Sequence, residues 1–412
     1  MSPPEPPTRI LILGSGILGS ALAAHLSDFH DHYPIPGFTV QVLSPPSTHE
    51  PSIAHKSSTS LAPGLIGQLN ALPPLTTLAK TSVQEYLTLP PGCFSQVGGL
   101  EIANTPEGIA TLEQRLEQAL AVGLEARLLD SEEVAGLAPQ FHQPDKGAKG
   151  LYFPTDGVAE PERIVDAYQA SARARDVEFI EATALGIKHL NGVVVGVRTT
   201  TGIIGADKVI VASGIWTPKI VEDLIHLPVI PVAHPYIHGP ARPARAKETP
   251  FVRWPEKSVY ARDHGACEGF GTYDHKPLPV EAGESAEKGW DSSFDSAAEK
   301  ALSSFPEETR KQIQGEGSRR MNGVFAVTPD GLPIAGPVRG VEGLWVAAAV
   351  WITHAAGVAE LVTGMVLGRE DGGEEEVELR KALDPVRFEG REEEELKKES
   401  GGRYNDIYNL EE

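Results

Sequence analysis

A glycine-rich turn stands near the start of the chain, between a short apolar run and an Ala- and Leu-rich segment. Residues 10–13 are apolar, and Gly14, Gly16 and Gly19 follow with the spacing G-x-G-x-x-G. Gly14 permits a tight turn, Gly16 lets a pyrophosphate approach the backbone, and Gly19 lets a helix pack closely on a strand. The pattern predicts a Rossmann-like dinucleotide site, with a purely structural turn as the alternative.

The helix start and the second strand provide further predicted contacts with the nucleotide. Ile17 and Leu18 lie at the helix N-terminus, where free amides and the peptide dipole favour phosphate. Residues 38–43 form the second strand, and an acidic residue is expected at its end to bind the ribose hydroxyls. Ser44 stands there instead, and its hydroxyl is predicted to make one hydrogen bond.

Later segments indicate that the domains are interleaved along the chain. Asn191-Gly192 is a strong hairpin signal, and the apolar strand at residues 208–212 is predicted to return to the nucleotide sheet. We therefore predict an α/β (α+β) fold, with an antiparallel-sheet substrate domain inserted into a Rossmann-like domain. The predicted nucleotide-binding domain comprises residues 1–75, 150–222 and 323–368, and the substrate domain comprises residues 76–149 and 223–322.

The last segment, residues 369–412, is strongly acidic. It holds 16 acidic and 8 basic residues, and the whole chain has a formal charge of −21. The segment is predicted to be a solvated acidic extension that is partly helical. Because the negative charge repels phosphate backbones and anionic lipid surfaces, neither nucleic acid nor a membrane is expected as a partner.

Cysteine content and the N-terminal residues bear on metal binding and location. Cys93 and Cys267 fit neither a disulfide framework nor a zinc-ligand spacing, so no metal site is predicted. Residues 1–9 lack the basic start of a secretory or mitochondrial signal, and the apolar run that follows is far shorter than the ~20 residues of a membrane span. A cytoplasmic location is the default expectation.

Several motifs are spread over nearly the whole chain: STSLAPGL at 58–65, QVGGLE at 96–101, PTDG at 154–157, FAVTPDG at 325–331 and AVWITHAAGVA at 349–359. Together they make the chain similar to the amine-oxidising flavoproteins related to D-amino-acid oxidase. The resemblance is strongest to the flavin half of dimethylglycine oxidase and dimethylglycine dehydrogenase, which are sarcosine oxidase-like. It implies that the nucleotide-binding domain is an FAD-binding domain.

The resemblance also implies the reaction. The expected activity is oxidation of an N-methylated amine or amino acid, such as dimethylglycine or sarcosine, by hydride transfer to flavin N5. The iminium product hydrolyses to the demethylated amine and formaldehyde. Because the sequence lacks the folate-binding half of the resembled proteins, formaldehyde is expected to be released. Either O2 or an electron-transfer partner is expected to reoxidise the flavin.

Three stretches of the chain are expected to contact the flavin, as the resemblance implies. The residues concerned are Ser58, Thr59, Ser60, Leu61 and Leu65, then Ala184, Gly214 and Trp216, and finally Val350, Trp351, Ile352, Thr353 and His354. Trp216 and Trp351 are candidates for the pocket walls. Thr353 is a candidate N-cap for the next helix, whose N-terminus can stabilise negative charge on the reduced flavin.

Leu61 occupies the position at which the resembled proteins carry a histidine bonded to the flavin. The resemblance therefore implies that FAD is bound without a covalent link. His55 is a weaker alternative attachment point, because its spacing to Pro63-Gly64 does not match the pattern.

His234 and Tyr260 match residues of the resembled family that contact the substrate amine. They are expected on adjacent strands as a hydrogen-bonded pair that positions and helps to deprotonate the amine; ordinary core packing is the alternative.

A substrate carboxylate needs a cation, and Lys56, Arg253 and Arg262 are candidates, although each is more typical of a surface charge.

Three other functions remain as alternatives. A flavin oxidase acting on a different amine or amino acid is the nearest. A flavin-binding protein without turnover is the alternative outside enzymes. An NAD-dependent dehydrogenase is disfavoured, because a second cofactor-facing segment near the C-terminus is typical of FAD folds.

Overall fold

The computed structural model describes residues 7–32, 37–46, 57–145, 147–282, 289–369 and 372–405. Its helices are α1 (Ile17–His32), α2 (Ser58–Leu61), α3 (Pro73–Tyr86), α4 (Pro106–Ala121), α5 (Ser131–Leu137), α6 (Pro161–Arg173), α7 (Thr217–Ile220), α8 (Asp295–Leu302), α9 (Glu307–Ile313), α10 (Ala355–Val366), α11 (Gly373–Leu383) and α12 (Glu393–Asn405). Short 3₁₀ turns span Gly214–Trp216, Pro255–Lys257, Ser292–Phe294 and Ile352–His354.

The strands lie between these helices. They are β1 (Thr8–Leu13), β2 (Phe38–Ser44), β3 (Leu65–Ile66), β4 (Phe94–Ser95), β5 (Gly99–Ala103), β6 (Arg127–Asp130), β7 (Lys149–Phe153), β8 (Gly157–Ala159), β9 (Glu178–Glu181), β10 (Ala184–Leu190), β11 (Val193–Thr199), β12 (Gly202–Gly205), β13 (Lys208–Val211), β14 (Ile230–His238), β15 (Phe251–Trp254), β16 (Val259–Asp263), β17 (Glu268–Thr272), β18 (Arg319–Val327), β19 (Ile334–Pro337) and β20 (Leu344–Ala348).

The first sheet is largely parallel and has the strand order β19-β20-β13-β1-β2-β9. Only the pairing of β19 with β20 is antiparallel among its described pairs. Ile10 and Ile12 pack in the core that contains α1, α6 and α10, whereas Leu11 and Leu13 pack in the core on the opposite face. Because alternate side chains of a strand point to opposite faces, an unbroken apolar run is what a sheet covered on both faces requires.

The glycine-rich turn joins β1 to α1 with very close backbone packing. Gly14 has φ 108°, a conformation that favours glycine. A methyl group on Gly19 would overlap the carbonyl oxygen of Gly14. These two glycines therefore place α1 directly on the end of β1, as the sequence predicts.

The second sheet is mainly antiparallel and has the order β18-β14-β17-β16-β15-β5-β7-β6. On one face, Val259, Ala261 and Phe270 pack in a core that also contains residues of α5, α8 and α9. On the opposite face, Tyr260 packs in a separate aromatic cluster with Tyr236. The two sheets together confirm the predicted mixed fold, in which a Rossmann-like sheet and an antiparallel sheet are interleaved along the chain.

The division into domains stays a prediction, and strand membership bears on two of its boundaries. Both β7 and β18 belong to the antiparallel sheet. The predicted boundaries at residues 150 and 323 therefore cut through strands of one sheet, and we propose that they lie near residues 154 and 328.

Local residue chemistry explains where several elements begin and end. Asn191 and Gly192 have φ values of 51° and 78° and join β10 to β11, as a two-residue hairpin turn requires. The side chain of Thr105 accepts a hydrogen bond from the amide of Gly108 and caps α4, where Pro106 is the first helical residue.

Across the described ranges, no helix combines the length and apolar character needed to cross a bilayer.

The prediction of a solvated C-terminal extension is wrong for residues 372–405. They form α11 and α12, as the helical part of the prediction requires, but both helices pack on the body of the protein. Leu383 joins the core beside α1, Leu396 joins the core on the other face of the parallel sheet, and Tyr404 is fully buried among aromatic residues. Apolar side chains spaced among the charges account for this packing.

Candidate active site

A large cleft opens between the N-terminus of α1 and one face of the antiparallel sheet. The predicted site residues that line it are Ile17, Ser58, Thr59, Leu61, Leu65, Gly214, His234, Tyr260, Val350, Trp351, Ile352, Thr353 and His354. The structure therefore brings three distant segments of the chain, and both proposed catalytic residues, to one cavity.

The other predicted site residues lie outside the described lining: Gly14, Gly16, Leu18, Gly19, Ser44, Ser60, Ala184 and Trp216. Leu18 is buried in the core, and Trp216 is 40% exposed, so a role for Trp216 in the pocket wall stays a prediction. Ser44 lies at the carboxyl end of β2, where its carbonyl oxygen accepts a hydrogen bond from the amide of Ala182. Ala184 begins β10 and packs against the core on the outer face of the parallel sheet.

The start of α1 forms one end of the cavity. The amide of Ile17 donates a hydrogen bond to the hydroxyl of Thr59 at 3.2 Å, which holds the 58–61 segment against the helix. A methyl group on Gly16 would meet only that hydroxyl within 4 Å. The backbone at Gly16 is thus open for the close approach of a ligand, and the helix N-terminus favours an anionic one.

The segment before α10 forms a side wall. Trp351 donates from Nε1 to the carbonyl oxygen of Ala326 at 3.1 Å. The hydroxyl of Thr353 donates to the carbonyl oxygen of Leu65 at 3.3 Å, so the prediction that Thr353 caps the helix is wrong. His354 precedes α10 and is buried, and burial lowers its pKa to about 3. His354 is therefore neutral at physiological pH.

A row of residues crosses the floor of the cavity in the order Met321, Tyr236, Gly271, Tyr260, Arg253 and Glu101, one from each of β18, β14, β17, β16, β15 and β5. We call it the cross-sheet row. Residues directly opposite each other in a sheet share a face, with Cβ atoms about 5 Å apart. All members with side chains line the cavity. The sheet thus presents tyrosines and charged groups to the same space.

His234 and Tyr260 form the predicted hydrogen bond, with His234 Nε2 and Tyr260 Oη 2.5 Å apart. The expectation that their strands are adjacent is wrong, because β17 lies between β14 and β16. Contact across the intervening strand depends on Gly271, where a methyl group would overlap the Tyr260 hydroxyl. The rings of His234 and Tyr260 are nearly parallel, at 10°, with centroids 5.7 Å apart.

His234 is held as a neutral imidazole. It is 2% exposed, and burial, together with the nearby charge of His275, keeps its pKa well below its usual range. Its other ring nitrogen, Nδ1, lies 2.6 Å from the hydroxyl of Tyr404. Because a neutral imidazole has one donor and one acceptor nitrogen, His234 can link one hydroxyl to the other.

Arg253 extends the site next to Tyr260. The two residues are register partners on β15 and β16, and a side chain at Gly67 would clash with the Arg253 guanidinium. Asp156 is fully buried nearby, and burial raises its pKa to about 7, although Gln68 and Arg253 both act to lower it. The half-buried Arg253 therefore reaches the cavity close to a buried carboxyl group.

Glu101 ends the cross-sheet row as half of a buried ion pair. Its carboxylate accepts two hydrogen bonds from Arg115, at 2.6 and 2.8 Å. Both residues line the cavity together with Arg253. Among the described lining residues, two guanidinium groups thus face one carboxylate, which favours an anionic group in the ligand.

The other cations proposed for a carboxylate are placed differently. Arg262 is 3% exposed, so its interpretation as a surface charge is wrong. Its guanidinium donates to the carbonyl oxygens of Pro63 and Ala159 and pairs with Glu160, so it fixes the loop after α2. Lys56 and His55 lie outside the described residues.

Sequence reasoning missed how Arg253 and Tyr404 are placed around the predicted pair. Arg253 is among the predicted candidate cations, and an antiparallel hairpin over residues 251–263 would have placed it opposite Tyr260. Tyr404 gave no such signal, since it lies 170 residues from His234 in the chain, and its segment was interpreted as solvated.

The comparisons with known proteins agree with this geometry. A family described as "FAD dependent oxidoreductase" (DAO) matches residues 9–365. The chain is 27% identical over 94% of its length to the mitochondrial dimethylglycine dehydrogenase of Rattus norvegicus. It is 24% identical over 66% of its length to a 4-methylaminobutanoate oxidase (formaldehyde-forming) of Paenarthrobacter nicotinovorans. These matches cover 46% and 33% of the two relatives, so the chain spans about half their length or less.

A solved structure supports the fold. The L-proline dehydrogenase from P.horikoshii superposes with a TM-score of 0.74 at 21% sequence identity, covering 93% of this chain and 98% of that one. At this level of identity, the likeness concerns the fold alone.

The first prediction concerns the attachment of the flavin. Leu61 lines the cavity with a hydrocarbon side chain that has no nucleophilic atom. Acid precipitation of the purified yellow protein is therefore expected to release the flavin into the supernatant, where its absorbance is measured. Colour retained in the pellet, with a flavin-sized mass increase on a peptide that contains His55, would contradict non-covalent binding.

Proposed function

This chain belongs to the family of FAD-dependent oxidoreductases, and we propose that it oxidises an N-methylated amino acid of the dimethylglycine or sarcosine class. One observation supports the proposal above the others. A single cavity joins the N-terminus of α1 to a sheet face on which His234, Tyr260 and Arg253 stand together.

The residues at the α1 end of the cavity fit FAD. Gly16 leaves its backbone open, the 58–61 segment docks on the helix start through Thr59, and residues 350–354 bound the space towards the antiparallel sheet. When bound, FAD supplies an oxidant that accepts a hydride from the carbon next to an amine nitrogen. The chain itself must bind the amine, orient it and remove its proton.

Tyr260 and His234 are suited to proton removal. An alkylammonium group has no lone pair on nitrogen and must lose a proton before its neighbouring carbon can release a hydride. Tyr260 faces the cavity, and its hydroxyl is bonded to a neutral histidine, so a proton taken up by the Tyr260 oxygen can be matched by a proton passed on to His234. The pair can therefore draw a proton from the bound ammonium.

Aromatic rings form the wall around this pair. His234 lies 4.6 Å from both Tyr273 and Phe325, and Phe325 packs edge-to-face on Trp351 at 5.0 Å. All three aromatic residues line the cavity. Ring faces attract alkylated ammonium groups, and their apolar surfaces accommodate N-methyl carbons better than water does. An amine that carries methyl groups therefore suits this part of the cavity.

Arg253 is proposed to bind the substrate carboxylate. A guanidinium can bind a carboxylate through two parallel hydrogen bonds. Since Arg253 and Tyr260 are opposite each other on β15 and β16, they can hold the two ends of a small α-amino acid. Removal of hydride from an N-methyl carbon of that substrate gives an iminium, which water hydrolyses to the demethylated amine and formaldehyde.

The second prediction tests the substrate class. Under anaerobic conditions, dimethylglycine or sarcosine is expected to bleach the visible flavin band of the purified protein and to yield one formaldehyde per flavin reduced. Absorbance and a formaldehyde assay measure both quantities. Glycine and proline serve as matched amino acids without an N-methyl group, and admission of air tests whether O2 restores the colour.

Two other results would redirect the proposal. Bleaching by glycine or proline alone, without formaldehyde, would indicate a flavin oxidase of a different amino acid. A flavin band that no amine bleaches would indicate a flavin-binding protein without turnover.

The third prediction concerns Arg253. Replacement of Arg253 by Met is expected to weaken the binding of a carboxylated substrate about 10- to 100-fold, as loss of a hydrogen bond to a charged group implies. Affinity for N,N-dimethylethylamine, which lacks the carboxylate, is expected to change little. Both constants come from the substrate dependence of anaerobic flavin reduction.

The conservative variant Arg253→Lys provides the control, because it keeps the charge and is expected to recover part of the affinity. Equal losses for both amines in Arg253→Met, or no loss for either, would contradict the assignment.

A further inference from the structure

The C-terminal helix α12 supplies a side chain to the proposed catalytic pair. Tyr404 is 0% exposed, and its hydroxyl lies 2.6 Å from Nδ1 of His234, the ring nitrogen that Tyr260 does not contact. The same hydroxyl lies 2.8 Å from Nε2 of His275. Tyr260, His234, Tyr404 and His275 therefore form a continuous hydrogen-bonded chain.

The end of α12 is fixed where this contact requires it. The side chain of Asn405 donates to the carbonyl oxygens of Tyr273 and His275, at 2.6 and 2.7 Å. Arg403 donates from Nε to the carbonyl oxygen of Pro329 at 3.3 Å. Bonds on both sides of Tyr404 thus hold its hydroxyl between the two histidines.

The carbonyl group of Lys276 sets the donor-to-acceptor direction of this hydrogen-bonded chain. Nδ1 of His275 lies 3.0 Å from the Lys276 carbonyl oxygen, and a carbonyl oxygen only accepts hydrogen bonds. Neutral His275 therefore carries its proton on Nδ1, and its Nε2 accepts from the hydroxyl of Tyr404. The Tyr404 oxygen in turn accepts from Nδ1–H of His234, which leaves Nε2 of His234 to accept from Tyr260.

A second acceptor for Tyr404 fits less well. Its hydroxyl also lies 3.3 Å from the carbonyl oxygen of Ala233. Donation to that oxygen would set a lone pair of Tyr404 against the lone pair of His275 Nε2 across 2.8 Å. The shorter contact with His275 is therefore the better place for the single hydroxyl proton, and every donor in the chain points away from the cavity.

We propose that Tyr404 is a positioning residue that fixes the tautomer of His234 and links it to His275, so that the four residues carry the substrate's ammonium proton out of the cavity. The step balances. The ammonium N–H breaks and gives the neutral amine, each member passes one proton to the next, and His275 Nε2 gains a proton. His275 is partly exposed and returns that proton to water.

The inference rests on the proposed amine oxidation and deepens it, since it assigns the route of the proton. The titratable and charged groups around the chain are Tyr260, Tyr273 and Tyr404 beside His234, and Asp274, Lys276 and Tyr404 beside His275, with Lys300 of α8 paired to Asp274. Burial lowers the pKa of His275, although the Lys276 carbonyl and the Asp274 charge oppose this shift. A protonated His275 therefore releases its proton readily.

The fourth prediction uses Tyr404→Phe, which keeps the ring and removes the hydroxyl. Flavin reduction at saturating substrate, followed by anaerobic stopped-flow, is compared between about pH 6.5 and about pH 10, because alkylammonium groups titrate near ~10. The variant is expected to be roughly 10-fold slower or more at the acidic end, where the substrate enters as ammonium. At the alkaline end the neutral amine binds, and the rates are expected to converge.

Control variants separate this role from folding. Tyr168→Phe removes another buried tyrosine hydroxyl, which is bonded to Glu85 outside the cavity, and is expected to leave the pH profile unchanged. His275→Gln changes a partly exposed side chain. It is expected to slow flavin reduction at the acidic end of the pH range as Tyr404→Phe does. An equal loss at every pH, or no loss at any pH, would overturn the proposal.

Nuclear magnetic resonance of ¹⁵N-histidine-labelled protein gives a second readout that does not depend on turnover. His234 and His275, assigned by their Gln variants, are both expected to be Nδ1–H tautomers, and the His234 pattern is expected to change in Tyr404→Phe. An Nε2–H tautomer at His234 in the parent would overturn the proposed direction. If no amine reduces the parent's flavin, the proposed function fails, whereas this tautomer measurement still decides the arrangement of the chain.

Discussion

The proposed active site depends on the absence of a side chain at Gly271. His234 and Tyr260 stand on strands that are not neighbours, and the strand between them must leave room for the Tyr260 ring. Glycine at this register position allows the hydroxyl to reach His234 at 2.5 Å. Arg253 is the next member of the row, and direct pairing of β15 with β16 sets its separation from Tyr260. The missing side chain at Gly271 therefore governs the contact between the two residues proposed to act on the amine.

The two sheets contribute different chemistry to the same cavity. The parallel sheet ends in the glycine turn and the start of α1, which favour a phosphate-bearing cofactor. The antiparallel sheet contributes hydroxyl, imidazole and guanidinium groups from neighbouring strands. The C-terminal helix completes the second set from the far end of the chain, because Tyr404 packs behind His234. The acidic C-terminal segment thus contributes a side chain to the proposed active site, although most of its charged residues lie on the surface.

Much of this arrangement could be predicted from the sequence, for physical reasons that differ between elements. The glycine turn and the Asn191-Gly192 hairpin are local, since steric limits on φ dictate which residues fit. The pair His234 and Tyr260 was identified by resemblance to a known family. Its predicted hydrogen bond is confirmed, but the prediction that the two strands are adjacent is wrong. The strand between them and the burial of Tyr404 depend on long-range pairing, whereas Arg253 is placed opposite Tyr260 by a local hairpin. Periodicity within one segment carries no information about such pairing.

The central claim is that Tyr260 acts on the substrate proton through its hydroxyl. Stopped-flow reduction of FAD by saturating substrate at neutral pH, compared between the parent and Tyr260→Phe, tests it most directly. Tyr152→Phe is the matched control, because it removes a hydroxyl from the same sheet outside the cavity lining. The account predicts a reduction rate about 10²-fold slower in Tyr260→Phe, with FAD content unchanged, and a normal rate in the control. A Tyr260→Phe rate within a few-fold of the parent would contradict it.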